Sequence, residues 1–202
     1  MTDSVIGVST GTDKYLGSTS RSVGGTAREE QYIIEGQATL PTYSIIADDV
    51  SVATANDHLI QIMADGTNYT RLVSLRVEPT EDAPASNGYI KLGLYRLTTA
   101  GTTGTALNDA PYDTADSYAG DMRTLPGSKG TEGQLLRTFY MSMTTAPADE
   151  ASPKYIEWTP PAGGKPIVFG NGTGDGIALK IIDNLASASV AITAEIITTS
   201  YL

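Results

Sequence analysis

The sequence contains no cysteine and only one histidine, and these two shortages exclude several kinds of site. Without thiols the chain has no disulfide, zinc–thiolate centre, iron–sulfur cluster or cysteine nucleophile. A single imidazole also argues against cupin-type metal centres, in which two or three histidines converge on one ion. We therefore expect no metal and no cofactor, and we expect stability to come from packing and assembly.

Basic residues are also scarce. The 202 residues include 13 Lys and Arg against 23 Asp and Glu, which gives a formal net charge of -10. Nucleic-acid binding relies on basic side chains that neutralise phosphates, so nucleic acid is not an expected partner. No apolar run approaches the roughly 20 residues that span a bilayer, and the first residues lack the pattern of a secretory signal. The sequence thus predicts a soluble protein, made in the cytoplasm, whose partners are proteins or glycans rather than membranes.

The chain does contain a series of short alternating runs that are typical of β-strands. The clearest is 71–78, where Val73, Leu75 and Val77 alternate with polar residues and are predicted to share a buried face. Similar runs, rich in β-branched and aromatic residues, are separated by Gly, Pro, Asn and Asp. Further strands are predicted at 32–35, 43–52, 58–64, 89–98, 134–143, 154–158, 166–169, 176–183 and 189–200.

This number of strands, with no sustained helical period, predicts an all-β fold. We expect residues 31–202 to form an antiparallel β-sandwich of jelly-roll type, in which two sheets bury one face each. An immunoglobulin-like sandwich is the alternative, although the Cys…Trp…Cys pattern of that fold is missing. The long segment 99–132, rich in Thr, Gly, Asp and Pro, is predicted to be a loop between two strands. Loops of this length commonly carry function or interactions.

Residues 1–30 have a different composition, rich in Gly, Ser and Thr, with isolated apolar residues and no period. Such a segment cannot build its own core, so it is either a flexible tail or an arm that orders on a partner. We favour an extended N-terminal arm. Its predicted contact residues are the apolar positions Val5, Ile6, Val8, Tyr15 and Leu16.

His58, within ATANDHLIQIMADG at 53–66, is the obvious candidate for acid–base chemistry. A Ser-His-Asp site requires an exposed nucleophile on a sharp turn, and no GxSxG motif is present. We interpret Asp57 as the end of a turn and His58 as the first residue of a strand, with its ring at the sheet edge. No catalytic residue is therefore predicted.

Two oxygen-rich stretches, NDAPYDTADSYAGD at 108–121 and NGTGDG at 171–176, raise the alternative of a structural calcium ion. Neither has EF-hand spacing, and Asp and Gly are common in turns, so we favour plain acidic loops. Tyr112, Tyr118 and Tyr140 are candidates for contact with a protein or a glycan, because tyrosine combines an apolar body with a polar tip. Tyr112 and Tyr118, in the long loop, are the predicted interface residues there.

Four blocks of sequence together resemble a group of small, cysteine-free proteins found among phage and prophage structural genes. They are ATANDHLIQIMADG, YRLTTAGTTGTA, DTADSYAGDMRTLPGSKGTEGQLL and GDGIALKIIDNLASASVAITAEI. The resemblance covers about residues 53–197 and rests on the order of the blocks. It implies a virion component with a jelly-roll body, namely a capsid decoration (cement) protein that binds the major capsid protein. It also implies a homotrimer, and it brings no catalytic motif.

The leading hypothesis is therefore a non-enzymatic structural protein of the capsid surface, synthesised in the host cytoplasm. Two other classes stay open. A glycan-binding jelly-roll module on a phage tail or adhesin would use Tyr112, Tyr118 and the long loop. A polysaccharide-degrading enzyme would need paired carboxylates together with His58.

Overall fold

A computed structural model describes the chain except for residues 1–3, 8–14, 24–25, 34–39, 53, 80–87, 144–154, 171, 173, 184–190 and 202. Every regular element in the described part is a β-strand. A search of those residues finds no helix with the length and apolar character needed to cross a membrane. The chain divides into two compact units, Met1–Leu40 and Pro41–Leu202.

The N-terminal unit contains a three-stranded antiparallel sheet in the order β1-β2-β3. Its strands are β1 (Ser4–Gly7), β2 (Tyr15–Val23) and β3 (Thr26–Ile33). The segment predicted as an extended arm is thus extended in its described parts, and it pairs with itself along the register Leu16↔Ile33 to Val23↔Thr26. Strand β3 continues past residue 30, where the arm was predicted to end.

The larger unit contains twelve strands among its described residues. They are β4 (Thr42–Ser51), β5 (His58–Met63), β6 (Tyr69–Pro79), β7 (Gly88–Leu97), β8 (Thr105–Ala106), β9 (Asp109–Pro111), β10 (Met122–Thr124), β11 (Glu132–Met143), β12 (Ile156–Trp158), β13 (Ile167–Gly170), β14 (Gly176–Asp183) and β15 (Ala191–Tyr201). Nine of these strands agree with predicted ones to within a few residues at each end, whereas β8, β9 and β10 lie in the segment that was predicted to be a loop.

Two antiparallel sheets pack face to face to form a sandwich. The first has the order β12-β6-β15-β4-β9, with β13 also on β6, and the second has the order β11-β7-β14-β5-β10-β8. The main pairs are nested along the chain: β4 with β15, β5 with β14, β6 with β12 and β13, and β7 with β11. Nested pairs divided between two facing sheets are the connectivity of a jelly roll. The predicted all-β jelly-roll sandwich is confirmed.

The core lies between the sheets and is formed by the alternating apolar residues of both inner faces. Ile90, Leu92 and Leu94 of β7 are fully buried, as the alternation predicts. Strand β6 departs from its predicted pattern, because Leu72 is buried while Val73 is 38% exposed. The pairing of β6 with β15 shifts register between Ser74 and Leu72, so Val73 is an extra residue in a bulge and points outward.

Residues 98–131, which we call the insertion, are ordered against both sheets instead of forming an unstructured loop. Strand β10 pairs with β5, and β9 pairs with β4. Without the insertion, β4 and β5 would be the end strands of their sheets, with backbone N–H and C=O groups open to other chains. The insertion is ordered because its strands form hydrogen bonds with the backbone of β4 and β5. Its amino-acid composition did not predict this pairing.

Because of the bulge in β6, we expect the replacement of Leu75 by alanine to destabilise the protein much more than the replacement of Val73. Leu75→Ala should lower the free energy of unfolding by about 2–5 kcal/mol because it leaves a cavity in the core. Val73→Ala should change it by less than about 1 kcal/mol, since this side chain faces outward. Chemical denaturation of the two variants measures both values, and equal losses would contradict the bulge.

Candidate functional site

The single histidine lies beneath the insertion, on the face of the second sheet that points away from the main core. His58 is the first residue of β5, as predicted, and its side chain is fully buried. On the same face, Met63, Leu97 and Ala178 form a small apolar cluster that is separate from the main core. The predicted position of the ring at a sheet edge is wrong, because β10 continues the sheet beyond β5.

The imidazole is held by a chain of hydrogen bonds that fixes its protonation state. His58 Nε2 lies 3.0 Å from Glu132 Oε1, and His58 Nδ1 lies 2.5 Å from Gln61 Nε2. A carboxylate only accepts, so Nε2 carries the proton and Nδ1 accepts from the Gln61 amide. The backbone N–H of Gly101 in the insertion donates to Gln61 Oε1 at 2.9 Å, which fixes the orientation of that amide.

A bulge in β5 brings His58 and Gln61 to one face. Residues three apart normally point to opposite sides of a strand. Here Leu179 pairs with Ile60 while Lys180 pairs with His58, so β5 has one extra residue in this interval. As a result Leu59 and Ile60 are both buried in the main core.

The hydrogen-bond chain reaches the surface through Glu132 and Lys180. Lys180 Nζ donates to Glu132 Oε2 at 2.9 Å and lies 5.3 Å from the ring centroid of Tyr95. Glu132, at the start of β11, therefore accepts from an imidazole on one oxygen and an ammonium on the other. These contacts join β5, β11 and β14 beside the insertion.

Burial, hydrogen bonds and neighbouring charges shift the pKa values of His58 and Glu132. Burial removes His58 from water and lowers its pKa below the ordinary value of 6.5, although the hydrogen bond and charge of Glu132 oppose this shift. Burial alone would raise the pKa of Glu132, but hydrogen bonds from Lys180 and His58 and their charges outweigh it and lower the pKa below 4.5. At neutral pH the site therefore holds a neutral imidazole and an ionised carboxylate.

This arrangement is suited to holding the insertion in place. A general base needs a nitrogen within reach of the proton that it removes from a substrate. Both nitrogens of His58 are already bonded to protein groups, and one of those groups is tied to the insertion through Gly101. A side chain at Gly101 would place its Cβ 2.7 Å from Gln61 Oε1, so the close approach requires glycine here.

The acidic stretches use their carboxylates within their own loops. Asp109 accepts the backbone N–H of Tyr118, Asp113 accepts that of Ala115, and Asp121 pairs with Arg123. Asp175, in the second stretch, accepts the N–H of Gly170. In the described residues no group of three or more His, Asp and Glu side chains is arranged to hold a metal ion.

The predicted contact tyrosines lie in different environments. Tyr112 is 65% exposed, as an interface residue should be. Tyr118 is only 8% exposed, and its hydroxyl donates to the backbone oxygen of Met63 at 2.9 Å while its ring packs against Tyr43. Tyr118 therefore joins the insertion to the core, and its burial removes the ring from the surface. Tyr140, on β11, is exposed.

The predicted contact residues of the N-terminal arm fall mainly in the small sheet. Val5 and Ile6 lie in β1, Tyr15 and Leu16 lie in β2, and Val8 lies outside the described residues. Ile6 pairs with Leu16, and Tyr15 pairs with Gly7. The backbone thus brings four of the five positions together on neighbouring strands.

The sequence singled out His58 but missed its partners. Gln61, Glu132 and Lys180 are scattered over 120 residues and form no motif. The bulge that aligns His58 with Gln61 could not be recognised from the alternation of polar and apolar residues. A scan against models of known protein families and a search of curated proteins both found no match to this chain.

Removing the imidazole should loosen the insertion. His58→Leu leaves the amide of Gln61 and one oxygen of Glu132 without their partner, so we expect a loss of about 2–4 kcal/mol in unfolding free energy. His58→Gln is the matched control, because its amide both accepts and donates. Hydrogen exchange should rise first at Gly101 and its neighbours in the Leu variant; unchanged exchange there would contradict the role of His58.

Acid should destabilise the protein in two stages. Since folding lowers the pKa of His58, the unfolded chain binds more protons below pH 6.5, and stability falls as the pH decreases through the lowered value. Glu132 adds a second loss below pH 4.5 for the same reason. Melting temperatures measured from pH 8 down to about pH 3 should show both stages in the wild type. The first stage should be absent in His58→Gln, and an identical profile for the two proteins would show that His58 does not contribute.

Proposed function

We propose that this protein is a non-enzymatic structural protein of a phage virion that binds and stabilises the outer surface of the capsid, as decoration (cement) proteins do. The observation that carries the proposal is the division of the chain into a jelly-roll body and a separate N-terminal unit with its own sheet. A decoration protein needs a rigid body and an extension that contacts the shell or a neighbouring copy. The major capsid protein is the proposed partner, and the capsid surface is the proposed location.

The chemistry of the body supports the same proposal. His58 and three aspartates of the first acidic stretch, Asp109, Asp113 and Asp121, each have a hydrogen-bond or ion-pair partner within the protein. A net charge of -10 favours solubility on an exposed particle surface. Binding to a shell would add stability by mass action, because only the folded form binds.

The test is cosedimentation with capsids assembled without this protein. The full chain should bind saturably and raise the temperature at which the capsids open. A variant without residues 1–40 should lose most of this binding while its melting curve and circular dichroism still show a folded β body. Equal binding by the truncated and full chains would contradict the role of the N-terminal unit, and no binding by the full chain would contradict the proposed function.

A glycan-binding module is the second candidate, and the exposure of Tyr112 and Tyr140 favours it. Exposed tyrosines offer sugar rings an apolar surface together with a hydroxyl. A glycan array probed with the full chain should show no selective binding if the capsid proposal is correct. Selective binding that is lost in Tyr112→Ala or Tyr140→Ala would favour the second candidate.

A further inference from the structure

The insertion begins and ends in a short stem, which we define as residues 98–103 and 127–131. Its two segments run beside each other, and Thr102 and Ser128 form a β-bridge with N···O distances of 2.8 and 3.2 Å. The stem has the sequences TTAGTT and GSKGT, without a large apolar side chain. Gly101 and Gly130 are its buried residues, and the others are exposed. Since the stem buries so little apolar surface, hydrogen bonds must hold it against the sheet.

Among the described residues, two hydrogen bonds attach the stem to β5 and to the turn before it. The buried N–H of Gly101 donates to Gln61 Oε1 at 2.9 Å, and Lys129 Nζ donates to the backbone oxygen of Asn56 at 2.8 Å. Lys129 also lies 3.9 Å from Asp57, but both side chains of this ion pair are 37% exposed, so water weakens their attraction. The bond between Gly101 and Gln61 is therefore the main attachment, and we call the stem closed while it is intact.

The amide of Gln61 can bond both of its neighbours only while the ring of His58 is neutral. In that state Gln61 Nε2 donates to His58 Nδ1, and Gln61 Oε1 accepts from Gly101. A charged imidazole carries a proton on both nitrogens, so its Nδ1–H would point at the amide NH₂. Rotating the amide by half a turn would present its oxygen to the ring but its NH₂ to the N–H of Gly101. In either orientation two donors face each other.

The closed stem keeps water away from these two donors. His58 and Gln61 are fully buried, and Gly101 is buried above them. A buried donor without an acceptor is costly, and more so beside a charge. Opening the stem would allow water to accept from Gly101 and to solvate the charged ring. A closed stem and a charged His58 therefore exclude each other.

Charged side chains of both signs surround the ring. They are Glu132 on β11, Lys180 on β14, Lys129 of the stem with Asp57 in the turn before β5, and Arg123 on β10 with Asp121 beside it. Glu132 favours the charged form of His58, whereas Lys129 and Lys180 oppose it. Burial has the largest effect and lowers the pKa of His58. Opening the stem reduces this burial and moves Lys129 away, and both changes favour protonation.

We propose that the stem opens when His58 gains a proton, while the two sheets remain folded. The proton acts through Gln61, which then has no orientation that bonds both His58 and Gly101. Strands β9 and β10 lie outside the stem and pair with β4 and β5, so they keep the rest of the insertion in place. Acid thus changes the outer surface of the second sheet without releasing the insertion. This proposal does not rest on the proposed capsid function.

Two variants of the full chain separate this mechanism from ordinary acid unfolding. Gln61→Glu supplies a carboxylate that accepts from Gly101 and from a charged His58 at the same time, so its stem should stay closed in acid. His58→Gln gains no proton in this range and keeps one donor and one acceptor, so its stem should also stay closed. The matched control is Gln134→Glu, which makes the same charge change at an exposed glutamine and should open like the wild type. Melting curves check folding, and His58→Gln tests the proposal if Gln61→Glu does not fold.

Hydrogen exchange between pH 7.5 and pH 5, corrected for the intrinsic effect of pH on each amide, measures the opening. The N–H of Gly101 reports directly, because its bond to Gln61 breaks when the stem opens. In the wild type its protection should fall about tenfold for each pH unit below 6.5, since the open stem restores the ordinary pKa of His58 and takes up one proton. The amides of β7 and β14 should keep their protection over the same range. Circular dichroism should show an unchanged β-sheet signal.

Four outcomes would overturn the proposal. Protection at Gly101 that falls equally in the wild type and in His58→Gln would show that the proton on His58 is not responsible. The same pH dependence in the wild type and in Gln61→Glu would exclude the amide as the link. Loss of protection in β7 and β14 together with Gly101 would indicate global unfolding, and a stem that stays closed in Gln134→Glu would show that any added negative charge has this effect.

Discussion

A fully buried imidazole needs a hydrogen-bond partner for each of its nitrogens, and at His58 these partners join the insertion to the second sheet. Glu132 accepts from one nitrogen, Gln61 donates to the other, and the same amide accepts the backbone N–H of Gly101. Each link depends on the direction of the previous one, because a carboxylate cannot donate and a backbone N–H cannot accept. The insertion is thereby joined to the body through a polar contact that permits one arrangement.

The insertion in turn gives the molecule two unlike edges. At one edge, β9 and β10 extend both sheets and satisfy the backbone of β4 and β5. At the other edge, β11 ends the second sheet within the described residues and presents Leu135 and Tyr140 on its outer face. The two edges of the jelly roll therefore differ: the insertion covers one, and exposed apolar side chains lie near the other. This asymmetry would allow the protein to bind a capsid in one orientation.

The sequence predicted the strands and the sandwich well because burial on one face leaves period two in the residues, as at Ile90, Leu92 and Leu94. Its failures lie at bulges and in the insertion. The outward position of Val73 and the alignment of His58 with Gln61 both depend on a register shift, which changes the face of a residue without changing its identity. Tyr118 was predicted to be an interface residue because it is a tyrosine in a long loop, whereas the pairing of the insertion with the sheets buries it.

The protonation state of His58 tests the account most directly. Nitrogen NMR shifts of the imidazole, followed as the pH is lowered from 8, distinguish the two neutral tautomers from each other and from the charged ring. We expect a single neutral form with the proton on Nε2 that persists below pH 6.5 until the protein begins to unfold. A ring that titrates near 6.5 in the folded protein, or one with the proton on Nδ1, would contradict the hydrogen-bond chain and the anchoring of the insertion.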